Sequence, residues 1–105
     1  MNGGRISGEP RAGLRLAGTL RATDAVMLLD QLPMADQPLR LDLSDVEAID
    51  SAGLALLLEW QQRLEEAGGS LVVVSPPAAL VRLARISGVD TLLNIETNDA
   101  GMIGE

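Results

Sequence analysis

The sequence predicts one α/β domain: a mixed, mostly parallel sheet of four or five strands packed with three main helices as a small sandwich. Three observations predict it. Apolar stretches of period two alternate along the chain with stretches of helical period. The segments between the strands are long enough to carry helices, as parallel neighbours joined right-handedly require. The length, 105 residues, is that of a single domain. Such a chain buries about 60–65% of its unfolded surface, enough for a core without cross-links.

Residues 1–12 hold Gly3, Gly4, Gly8 and Pro10 and read as a flexible arm, with at most a short edge strand at Arg5-Ile6-Ser7. The domain proper is expected over 13–96 and a frayed tail over 97–105. Leu14-Arg15-Leu16-Ala17-Gly18 alternates and predicts a strand, with a bend at Gly18-Thr19-Leu20. Thr23 is placed to cap a helix over 24–32, with Asp24 in its first turn and Val26, Leu28, Leu29 and Leu32 as its buried stripe. Pro33 ends it.

Leu39-Arg40-Leu41-Asp42-Leu43 alternates without a break and predicts a strand with three leucines on one face. Ser44-Asp45-Val46-Glu47-Ala48 reads as an acidic turn, with Ile49 dropping into the core. Asp50 or Ser51 then caps a long helix to about Ala67, stopped by Gly68-Gly69. Leu71-Val72-Val73-Val74 predicts a strand covered on both faces. Ser75-Pro76-Pro77 opens a third helix with Leu80, Leu83, Ala84 and Ser87 on one face, ended by Gly88. The last strand is expected at Leu92-Leu93-Asn94-Ile95.

Composition narrows the chemistry. The chain has no cysteine and no histidine, and all eight basic residues are arginine. The usual zinc sites, histidine-activated nucleophiles, the Walker lysine and Schiff-base lysines are therefore unsupported. No metal, cofactor or enzymatic activity is expected. A net charge of −7 disfavours nucleic acid and direct docking to anionic lipid. No apolar run approaches the roughly 18–20 residues of a spanning helix, and no signal peptide is visible, so a cytoplasmic location is expected.

The long helix is apolar beyond one stripe. Leu54, Leu57, Leu58 and Leu64 form its core face, while Ala52, Ala55, Leu56 and Trp60 lie on other faces. Leu56 and Trp60, four apart, stack. A second layer covering them is one reading. The reading adopted is a partner-facing patch, rimmed by Glu59 and Arg63 and centred on the chain's single aromatic residue. Trp plus Leu supplies on the order of 4–6 kcal/mol of transfer energy before association costs.

The segment Leu41-Asp42-Leu43-Ser44 through Ile49-Asp50-Ser51-Ala52-Gly53-Leu54, with Gly68-Gly69-Ser70-Leu71-Val72-Val73 and Leu83-Ala84-Arg85-Ile86-Ser87-Gly88-Val89, resembles the STAS domain family. The resemblance covers about residues 14–95. It implies a STAS-like fold and a regulatory protein-interaction module. In that family the hydroxyl after the aspartate is the regulatory position, matched here by Ser51 after Asp50. Two branches are implied. One is the small subunit of the Mla phospholipid-transport ABC complex, which binds the transporter ATPase and would sit peripherally at the inner membrane. The leucine-rich helix start at 53–58 and the short first helix favour it. The other is the anti-sigma-factor antagonists, which bind an anti-sigma factor with serine-kinase activity and are phosphorylated on that serine. The serine at 51 suits these.

Read from the residues alone, Ser51 is an N-cap candidate worth about 1 kcal/mol over alanine. Asp50 is a candidate to hold the turn through an Asx-type bond. A phosphate on Ser51 would meet the helix N-terminus favourably and the charges of Asp45, Glu47 and Asp50 unfavourably.

Overall fold

The computed structural model describes residues 3–33 and 35–96. The tail expected over 97–105 lies outside them. Eight elements follow in order: β1 (Arg5–Glu9), β2 (Gly13–Leu20), α1 (Ala22–Leu28), β3 (Pro38–Ile49), α2 (Ser51–Glu66), β4 (Ser70–Val74), α3 (Ala78–Ile86) and β5 (Ile95–Glu96). The strands form one sheet in the order β1-β2-β3-β4-β5. β1 runs antiparallel to β2; every later pairing is parallel. The expected mixed sheet with three helices is the observed one. The edge strand expected at Arg5-Ile6-Ser7 is present and runs on to Glu9, all five residues of β1 pairing with β2.

The core is one cluster on one face of the sheet. Leu14, Leu41 and Val73 share one row of the register, and Leu39 and Leu71 another. All five are buried against Leu54, Leu57, Trp60 and Leu64 of α2 and Leu80 and Ala84 of α3. Among the described residues the opposite face carries no helix. There Arg15 bridges Asp42 at 3.7 Å and Asp45 at 3.4 Å, and Arg40 pairs with Glu96. Val72 and Val74 stand among these side chains, half-buried, so β4 is covered on one face and not two. The aliphatic stems of the arginines give such valines part of the cover that a helix would give elsewhere.

Ser44 to Ala48 is not a turn. β3 continues through it to Ile49, twelve residues in all. Two register shifts against β2 explain the misreading. Arg15 pairs with Asp42 but Ala17 with Asp45; Gly18 pairs with Val46 but Thr19 with Ala48. Each shift places one extra residue in β3, a bulge that breaks the period of two while pairing continues. Leu43 and Val46, three apart, thus both point inward. The bend expected at residues 18–20 is likewise strand.

α1 begins two residues earlier than expected and ends at Leu28. Its N-cap is Arg21, and Thr23 is an exposed residue inside the helix. Asp24 supplies the cap from the third helical position, its Oδ2 accepting from the Arg21 amide at 3.0 Å. An arginine side chain has no acceptor with which to complete the reciprocal bond. Val26, expected in the buried stripe, is 79% exposed. α2 ends in a Schellman motif: the Gly69 amide donates to Leu64 at 2.8 Å, the Gly68 amide donates to Glu65 at 3.1 Å, and Gly68 has φ +95°. Pro77 is the N-cap of α3. Only Ile95 of the expected last strand pairs in the sheet, with Glu96 beyond it.

Trp60 is fully buried and Leu56 nearly so, which corrects the expectation of a partner-facing stack. α1 and the Leu29 turn that follows it pack along α2 beside both. The Trp60 indole Nε1 donates to the Leu29 carbonyl at 3.0 Å, so its one polar atom is satisfied inside the fold. Trp60→Ala is therefore expected to lower unfolding free energy by about 3–5 kcal/mol. Urea denaturation checks this; a loss below about 1 kcal/mol would return the side chain to the surface.

Candidate docking surface

β2 and β3 end side by side, at Leu20 and Ile49. The Asp50 amide donates to the Leu20 carbonyl at 3.3 Å. Its side-chain Oδ1 accepts from Ala52 N at 2.9 Å and Gly53 N at 3.2 Å, closing the first turn of α2. Gly53 then packs on the strand ends. A Cβ there would meet the Leu20 carbonyl, and would lie 2.8 Å from Ile49 Cγ1. No side chain fits, so the helix starts hard against the sheet.

Asp50 is thus the N-cap and Ser51 is not. Ser51 is the first residue of the helix and is exposed. The cap expectation for Ser51 fails because the Asp50 carboxylate already holds the amides that a cap would take. The acidic neighbours also change. β3 carries Asp45 and Glu47 away from Ser51, which leaves Asp50 as its immediate anionic neighbour in sequence.

From Ala52, next to Ser51, a shallow apolar groove runs between α1 and α2. Ala25, Val26 and Leu29 line one wall. Ala52, Ala55 and Leu56 line the other, with Glu59 and Arg63 beyond. Met27, next to Val26, is 71% exposed. Arg63 spans the end of the groove, its Nε 2.9 Å from Glu59 and its Nη1 3.3 Å from Asp30. The bonds to Glu59 and then to Asp30 make Arg63 hold its proton more firmly than usual.

Asp24 closes the opposite end of α1. It is buried, and accepts from Thr19 Oγ1 at 2.7 Å and Gly4 N at 3.2 Å besides Arg21 N. The Thr19 hydroxyl, then the Arg21 amide, hold its carboxyl below the ordinary value against the opposing effect of burial.

Of the residues singled out from sequence, Asp50, Ser51, Ala52, Ala55, Glu59 and Arg63 come together on this surface. Leu56 lines the groove with them, and Trp60 is buried in the core. Val26, Met27, Asp24 and Asp30 were missed. The signal for the first two was the unbroken run Val26-Met27-Leu28-Leu29, since a seven-residue helix cannot turn four consecutive apolar residues to one core.

A small α/β module with a rigid strand-end turn, an exposed hydroxyl and an open apolar groove has the features of a protein-docking domain. The chain belongs to the STAS domain family, a family of regulatory, non-enzymatic interaction modules: the family model described as "Mlab, STAS domain" matches residues 6–94. The anti-sigma-B factor antagonist of Bacillus subtilis (strain 168) is 31% identical over 91 residues, which is 84% of each chain. Two solved structures share the fold. The anti-sigma factor antagonist SpoIIAA in its unphosphorylated form has a TM-score of 0.67 at 15% identity, over 94% of this chain and 92% of that one. An anti-sigma-factor antagonist (STAS) domain protein from Planctomyces limnophilus has a TM-score of 0.66 at 18% identity, over 93% and 92%. Among the described residues no helix is long and apolar enough to cross a membrane.

Asp50→Ala is expected to cost about 1–2 kcal/mol, since two amides lose their acceptor, whereas Ser51→Ala should change stability by less than about 0.5 kcal/mol. Equal losses in thermal unfolding would mean that Ser51 shares the cap. Asp24 fixes the sign of an acid effect. Its folded pKa is lowered, so its contribution is complete above the unfolded carboxylate value and is lost as pH falls below about 4. Acid titration of wild type and Asp24→Asn, followed by circular dichroism, should show the two stabilities converging as the pH drops.

Proposed function

We propose that this chain is the small docking subunit of a bacterial phospholipid-transport ABC complex, gripping the ATPase in the cytoplasm through Ser51 and the α1–α2 groove. The observation that carries docking here is the groove itself, where Val26 stands exposed beside a fixed turn. A full side chain of this kind contributes about 1.5–3 kcal/mol of transfer energy when covered, before association costs. The description of the matched family model and the short α1 support the ATPase as partner.

A second reading is an antagonist in a partner-switching pathway, favoured by the 31% identical anti-sigma-B factor antagonist. Here the unphosphorylated chain binds an anti-sigma factor and phosphorylation of Ser51 releases it. The turn geometry gives a physical route. Asp50 occupies the Ala52 and Gly53 amides, so a phosphate on Ser51 would have to displace that carboxylate to reach them. It would otherwise remain an added charge of about −1.5 to −2 at the surface. Covering that charge with a partner need cost only about 1.4 kcal/mol to weaken binding tenfold.

Both readings use one surface, and Val26→Asp tests it. This variant should keep the wild-type melting temperature within about 4 °C and lose partner binding at least tenfold. Affinity purification from the native cytoplasm, read by mass spectrometry with phosphosite mapping, separates the branches. A Val26-dependent ABC ATPase supports the transport subunit. A Val26-dependent serine kinase, with phosphate on Ser51 in the unbound pool, supports the antagonist. Capture that Val26→Asp leaves unchanged would remove the groove from both readings. Ser51→Asp should likewise leave melting unchanged and weaken capture.

A further inference from the structure

α1 has only seven residues, fewer than the roughly 12–15 an isolated helix needs to persist in water. Little of it is buried: within the helix, only Asp24 and Leu28. Its outer residues Val26 and Met27 face solvent. Leu28 and half-buried Ala25 seat α1 on the core, and polar contacts at its two ends fix where it lies. At the N-terminal end, Asp24 gathers Thr19 Oγ1, the Arg21 amide and the Gly4 amide. At the C-terminal end, the Leu29 carbonyl receives the Trp60 indole N–H. One contact reaches to the end of β2 and to Gly4, just ahead of β1, the other to the middle of α2.

We infer that Asp24 and the Trp60 indole N–H are the positioning groups of the docking groove: they hold α1 as a clasp that opens locally while the sheet, α2 and α3 stay folded. The role of the groove rests on the function proposed above; the clasp itself does not. Neither group touches the partner. Each fixes the wall that carries Val26. Asp24 has two acceptor oxygens meeting three donors. An asparagine in its place has a single acceptor oxygen and turns an NH2 toward at least one donor. Phenylalanine at position 60 fills much of the tryptophan site but lacks the N–H.

The test is amide hydrogen exchange on the full chain for wild type, Asp24→Asn and Trp60→Phe, with affinity for the purified transporter ATPase measured in parallel. The Ala25 and Leu29 amides, which bond Arg21 and Ala25, report on α1. They should exchange at least about fivefold faster in both variants, while β3, β4 and α3 amides keep wild-type rates. Thr19→Val, which removes one donor to Asp24, should act the same way, and Thr19→Ser, which keeps the hydroxyl, should restore wild-type exchange. Affinity should fall in step with α1 opening. Unchanged α1 exchange, or acceleration spread evenly over sheet and helices, overturns the clasp. Faster α1 exchange with full ATPase affinity overturns the positioning role. If wild type itself does not bind the ATPase, the transport reading fails, and the exchange pattern still decides the clasp.

Discussion

The start of α2 depends on Asp50. Its amide reaches the Leu20 carbonyl, and its carboxylate closes the helix turn that follows. One residue thereby ties the ends of two strands to the N-terminus of the longest helix. Gly53 completes the join, because the helix backbone sits where any side chain would strike Leu20. Ser51 is exposed because its neighbours on both sides are spent on structure. A hydroxyl held on such a rigid turn can be read, or modified, without unfolding the helix behind it.

The second constraint is the cover that α1 provides. Sixteen residues of α2 carry more apolar surface than the sheet face can take. α1 and the Leu29 turn after it pack beside Leu56 and Trp60, and Val26 stays exposed along the groove. The apolar surface moves from α2 to the wall of the groove. A short helix that shows hydrophobic residues outward, beside a hydroxyl on a fixed turn, suits a domain that works by being held.

Much of this was legible in the residues. Leu39 to Leu43 alternates, Gly68-Gly69 stops a helix, and the Asp50-Ser51-Ala52-Gly53 element marks a helix start. These are local signals, set within a few residues by backbone geometry and by which side chains can cap. The candidate turn came from the same local pattern. Failures occurred where a distant segment decided the outcome. The bulges in β3 exist only in its pairing with β2, so Ser44 to Ala48 reads as a turn on its own. Ser51 and Asp50 are equally good caps by type, and the bond between the Asp50 amide and Leu20 fixes which of them takes the role.

By itself, the sequence determined the fold class, the order of its elements and the absence of residues for most catalytic chemistry, because periodicity, turn residues and composition are local properties. Only the tertiary structure decided which apolar side chains face water. Trp60 and Val26 belong to the same kind of run, yet one is buried and the other open, since burial depends on what packs above a residue. For Trp60 that is the Leu29 turn, thirty-one positions away in the chain.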